Sequence, residues 1–111
     1  MIEVIILNHF LEKSSVPTYM EEPTNPPERY RIIEKTGGGQ NDRLFNSTFA
    51  IQSYGPTMVD AALLNEETKE IMISAEELPE LGRIRLNSDY NYTDTETERY
   101  RYQAVYDITH Y

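Results

Sequence analysis

Alternation in the last thirty residues narrows the folds open to this chain more than any other feature. Within residues 83–93 the even positions carry Ile84, Leu86, Tyr90 and Tyr92, and the odd ones Arg83, Arg85, Asn87, Asp89, Asn91 and Thr93. Within residues 99–110 the even positions carry Tyr100, Tyr102, Ala104, Tyr106 and Ile108. Successive strand side chains point to opposite faces, so period two predicts two half-buried strands, with a turn at residues 94–98, DTETE. A third and a fourth strand precede them. Residues 29–36, RYRIIEKT, and residues 43–54, RLFNSTFAIQSY, read as a long hairpin, the second strand carrying Phe45, Phe49 and Ile51 on one face. Between them residues 37–42, GGGQND, read as a flexible loop, because three glycines carry a high entropy cost inside an element.

Two helices complete the pattern. Residues 2–13, IEVIILNHFLEK, open with an apolar run that suits helix or strand. The polar phase of Asn8 and Glu12 favours a helix, with Val4, Ile6, Leu7, Phe10 and Leu11 over a broad arc. So wide an arc suggests core on one side and a partner on the other. Residues 16–20 read as a short extended segment and residues 21–28, with three prolines, as an exposed loop. Gly55-Pro56 ends the hairpin, and Thr57 with Asp60 resembles the start of a helix over 57–73. There Ala61, Leu64, Thr68, Ile71 and Met72 share one arc, facing the sheet, while Val59 and Leu63 fall opposite. Ser74 with Glu77 resembles a second capping box, opening a turn that ends near residues 79–82. The order is α-β-β-β-α-β-β in one domain, 1–111. The fold class is α+β: an antiparallel sheet built from hairpins, with helices packed on one face.

Charge limits the partners. The chain has 10 Lys+Arg against 19 Asp+Glu, a net charge of −9. Residues 60–80 hold seven acids, Asp60, Glu66, Glu67, Glu70, Glu76, Glu77 and Glu80, against Lys69 alone. Such a surface repels nucleic-acid phosphates. With no cysteine, disulfides, thiolate metal sites and cysteine nucleophiles are excluded, and His9 with His110 alone gives no poly-histidine metal site. No run reaches the length of a membrane helix, and the N-terminus lacks the basic region of a signal peptide.

Chemical motifs are weak. The GGG run has no Walker lysine and sits between strands. Residues 89–100 imitate a calcium loop but place Asp94 at its glycine position and Tyr100 at its bidentate glutamate. No spacing selects a carboxylate pair for acid–base work. The tyrosines of the last two strands, with Arg99 and Arg101, could stack bases as sheet-based RNA binders do, but in-phase tyrosines are more often core. The expectation is a binding protein with no catalytic residue, no cofactor and no metal.

Residues 83–111 also resemble the closing hairpin of tail terminator (tail completion) proteins of long-tailed bacteriophages. The likeness rests on the basic-apolar strand, Leu86-Asn87-Ser88, the aromatic-Asn-aromatic triplet at 90–92, the acidic turn, and Arg101-Tyr102-Gln103-Ala104-Val105-Tyr106. The N-terminal apolar helix, the extended segment before the prolines, and the strand-GPT-helix junction at 54–57 agree in order. The resemblance implies a virion assembly protein without enzymatic activity, at the head-proximal end of the tail and in the host cytoplasm during assembly. It implies a hexameric ring that stops tail-tube polymerisation. Its partners would be further copies of itself, the major tail-tube protein and a head-completion or connector protein, with DNA passing through without specific binding. On this reading Val4, Leu7, Leu11, Val59 and Leu63 are the expected inter-subunit contacts. Glu66, Glu67, Glu70, Glu76 and Glu77 are the expected acidic lumen or rim. The alternatives are another neck or connector protein, or a small dimeric α+β ligand-binding protein or enzyme. An enzyme gathers polar groups in a concave pocket; a ring subunit exposes apolar patches on opposite flanks.

Overall fold

The computed structural model describes residues 1–97 and 99–111. Helix α1 (Ile2–Lys13) leads into strand β1 (Thr18–Tyr19). The hairpin β2 (Tyr30–Asn41) and β3 (Leu44–Gly55) follows, then helix α2 (Met58–Ser74), a single 3-10 turn (Ala75–Glu77), and the hairpin β4 (Leu81–Asn91) and β5 (Tyr100–His110). The fold is α+β in the expected order, with one five-stranded sheet ordered β1-β2-β3-β5-β4. Three of its four pairings are antiparallel; β1 joins β2 in parallel, because the proline-bearing 20–29 segment returns the chain along the sheet before β2 begins.

Both helices cover one face. Ile2, Ile6 and Phe10 of α1 and Ile71 and Met72 of α2 form one core with Ile33, Phe49, Ile51, Ala104, Tyr106 and Ile108 of the sheet. The start of α2 follows from its cap: the Asp60 amide donates to Thr57 Oγ1 over 3.1 Å. Pro56 stands just before that cap, outside the first helical turn. Gly55 is required there, since a Cβ would come within 2.6 Å of the Ala61 nitrogen.

Three expectations are corrected. Gly37, Gly38 and Gly39 are strand residues of β2, paired with Thr48, Ser47 and Asn46. The loop is the two-residue turn Asp42-Arg43, where φ is 49° and 71°, the signature of a type I′ hairpin. The ladder to β3 outweighs the local glycine cost of about 0.5–1 kcal/mol per residue. Ser74 does not cap the 3-10 turn; its hydroxyl donates to the Ile71 carbonyl over 2.7 Å. Phe45 shares a face with Phe49 and Ile51 as expected, and near the hairpin turn it is 41% exposed.

The third correction concerns β4, which begins at Leu81 and is exposed along most of its length. It is an edge strand, and two bulges break its phase, between Leu81 and Ile84 and between Leu86 and Ser88. Leu86 pairs with Tyr106 on the helix side, whereas Tyr90 pairs with Gln103 on the open side. Asp89 therefore faces α2, and Tyr90 and Tyr92 do not share a face with Tyr106. Glu98, the last residue of the expected 94–98 turn, lies outside the described residues.

Candidate functional site

The helical layer presents apolar side chains outward. On α1, Val4 and Leu11 are exposed, while Leu7 is half-buried against the core. On α2, Val59 and Leu63 are one turn apart and 67% and 63% exposed. Ile73, which directly follows Ile71 and Met72 but is not among the expected contacts, is 68% exposed. These groups occupy the two helices of one layer; they are not on opposite faces of the sheet.

The expected acidic surface divides into different roles. Glu67 is tied into the interior: Arg31, with no exposed surface at all, donates to it over 2.6 Å, and the Ser14 hydroxyl donates to it over 2.7 Å. Arg31 also donates to Thr68 (2.7 Å) and Ser14 (3.1 Å) and lies over the Phe10 ring, so one guanidinium joins α1, β2 and α2. Burial pushes this guanidinium below its ordinary value, against the opposite effect of Glu67. Burial pushes the Glu67 carboxyl up, but the hydrogen bonds from Arg31 and Ser14 hold it below the usual glutamate value. Glu77 is exposed on the 3-10 turn.

Glu66, Glu70 and Glu76 edge a groove of ≈ 370 Å³ between α2 and β4. Its apolar lining comes from Met72, Ile73, Ile84, Leu86 and Tyr106. The one ammonium at the groove, Lys69, is shared between Glu66 (2.8 Å) and Asp89 (2.9 Å), whose hydrogen bonds raise its affinity for the proton. Asp89 also accepts from the buried Asn65 over 2.8 Å. Sequence spacing gave no sign of this groove, since the bulges of β4 decide which side chains reach it.

The open face of the sheet is aromatic and cationic. Tyr30 and Tyr54 stack at 4.4 Å and 3°. Arg99 lies over both rings, bonded to Glu22 and the Tyr30 hydroxyl, and Arg101 lies over Tyr54 and Tyr92. Gln103 donates to the Tyr90 hydroxyl over 2.5 Å. Burial and the Glu22 carboxylate raise the Tyr30 hydroxyl well above its ordinary value. The two arginines are thus engaged with the protein's own rings and carboxylate.

His9 is buried, its Nε2 3.1 Å from the Ile71 carbonyl and 2.9 Å from the Ser74 hydroxyl, and it fastens α1 to the end of α2. His110 lies 2.8 Å from the Ser47 hydroxyl and stacks on Phe45. Among the described residues no group of three or more His, Asp or Glu is placed to hold a metal. No described helix is long and apolar enough to cross a membrane. The chain matches no protein-family model, and no curated protein matches it.

Proposed function

We propose that this chain is a structural assembly protein of a long-tailed phage or prophage virion, a tail terminator that caps the tail tube and offers the surface for head-tail joining. The observation that carries the reading is the outward apolar side chains of the helical layer: Val59, Leu63 and Ile73 on α2, with Val4 and Leu11 on α1. Large apolar groups held in water along two neighbouring helices mark a protein contact surface. The resemblance of residues 83–111 to the closing hairpin of that family supplies the identity of the assembly. The acidic flank of α2 supports passage of DNA without retention, because phosphates gain nothing from carboxylates.

The proposed ring forms on the tube end. A protomer of net charge −9 resists self-association in dilute solution, and a template that already fixes its neighbours lowers the entropy lost on closing a ring. The test is Leu63→Arg. An exposed substitution of this kind changes stability by no more than about 0.5 kcal/mol, so circular dichroism should show an unchanged fold. Electron microscopy of particles carrying the variant should show overlong tubes without heads. Normal-length tails joined to heads would remove Leu63 from the contact. A wild-type chain that never binds tube ends would remove the tail-terminator reading.

A further inference from the structure

We infer that the groove between α2 and β4 receives a short extended segment of a partner protein, one that inserts an apolar side chain and carries Lys or Arg on either side of it. The inference rests on the assembly reading only for the existence of a protein partner. The groove itself is argued from three features.

Its floor is apolar and open to water. Leu86 is 43% and Ile73 68% exposed, beside the half-buried Ile84. At ≈ 370 Å³ the groove falls near the lower end of binding-pocket volumes, a size suited to a side chain or two. Its long border is the free edge of the sheet, since β4 is the last strand in the order. The two bulges cut that edge into two short regular runs, Ile84–Leu86 beside the groove and Ser88–Asn91 beyond it. An added segment therefore pairs over only a few residues, and its affinity has to come from the side chain in the groove and from charge.

Charge selects the occupant. Glu66, Glu70 and Glu76 stand along the rim, and Asp89 faces α2 from β4. The ammonium of Lys69 is already shared by Glu66 and Asp89, and among the described residues Glu70 and Glu76 form no ion pair. Basic side chains flanking an apolar anchor answer this arrangement. A second copy carries Arg83 and Arg85 on its own β4, but it sets them against the −9 of each whole protomer, so it is the weaker match.

The experiment titrates the isotope-labelled protein with a synthetic peptide of alternating Lys and Leu, and with its Glu-Leu counterpart, following backbone amides by NMR. The expected result is saturable shifts confined to β4 and the second half of α2 for the basic peptide, and none for the acidic one. Glu70→Lys/Glu76→Lys should weaken binding by on the order of tenfold or more. Glu12→Lys/Glu28→Lys makes the same change in net charge on exposed positions outside the groove lining and should leave affinity unaltered. Equal loss in both double variants, shifts spread over the molecule, or no binding would overturn the inference. So would concentration-dependent self-association that perturbs the same amides without peptide. Failure here leaves tube capping standing, and a chain that binds the peptide in its groove but never binds tube ends fails only the tail reading.

Discussion

Replacing Glu67 by glutamine tests whether the Arg31 node holds the two helices to the sheet. Arg31 is fully buried with three hydrogen-bond partners, of which Glu67 alone is charged. Breaking a buried pair typically costs about 3–5 kcal/mol, because the remaining charge is left in the interior. Here the Glu67 side chain is 47% exposed, so water already screens the pair. Ser14 and Thr68 keep their bonds to Arg31, and the glutamine oxygen still accepts one. The expected loss is therefore nearer ~2 kcal/mol, in line with a hydrogen bond to a charged group. For a domain of this size that lowers Tm by about 8 °C at neutral pH. The folded Glu67 carboxyl titrates below its ordinary value of 4.5, so its contribution is full above that pH and fades as pH falls through the folded value. The gap between wild type and variant should close on acidification. Arg31→Met combined with Glu67→Gln should recover part of the loss, since no charge is then buried unpaired. Calorimetric scans at several pH values read all three effects. A Tm drop under about 2 °C at neutral pH, or a gap undiminished in acid, would refute the argument.

Three further outcomes follow from the fold. Gly39→Thr, at a strand position where an added Cβ meets nothing within 4 Å, should stabilise the protein by about 0.5–1 kcal/mol in urea melts. Gly55→Ala should destabilise it by about 1–3 kcal/mol in the same assay, because the new methyl meets the backbone of Asp60 and Ala61. Burial, with the Asp89 carboxylate adding to it and Lys69 opposing, pushes the Tyr106 hydroxyl up to about 12. Its folded value exceeds its unfolded one, so its contribution is full below the ordinary value of 10 and is lost as pH rises toward 12. Phenolate absorbance should lose the step at about 12 in Tyr106→Phe, and alkaline unfolding should flatten.

Local periodicity carried much of this fold. The arc of Ala61, Leu64, Thr68, Ile71 and Met72 is buried as spaced, and Val59 and Leu63 are exposed as spaced, because a regular helix keeps its phase. The β4 strand defeated the same logic, since a bulge is a relation between two strands and leaves no mark in either alone. The glycines of β2 misled for a related reason: a propensity of about a kilocalorie per residue yields to a ladder formed with a distant partner. Arg31 was invisible as a core residue because its charged partner lies 36 positions away. Of the acidic stretch, sequence gave the charge but not its division between the Arg31 node and the groove rim.

The bulge at Asn87 makes residue count as informative as residue identity. One extra position in β4 sets which of its faces every later side chain occupies. Deleting Asn87 would close the bulge and leave Ser88, Asp89, Tyr90 and Asn91 opposite their present partners, so Asp89 would still face Lys69 and Asn65. Lineages descending from this sequence should therefore lose the residue at 87 more readily than one from the paired run at 88–91. A lone insertion or deletion within that paired run would exchange the inner and outer surfaces of the residues beyond it, and with them the carboxylate that faces α2.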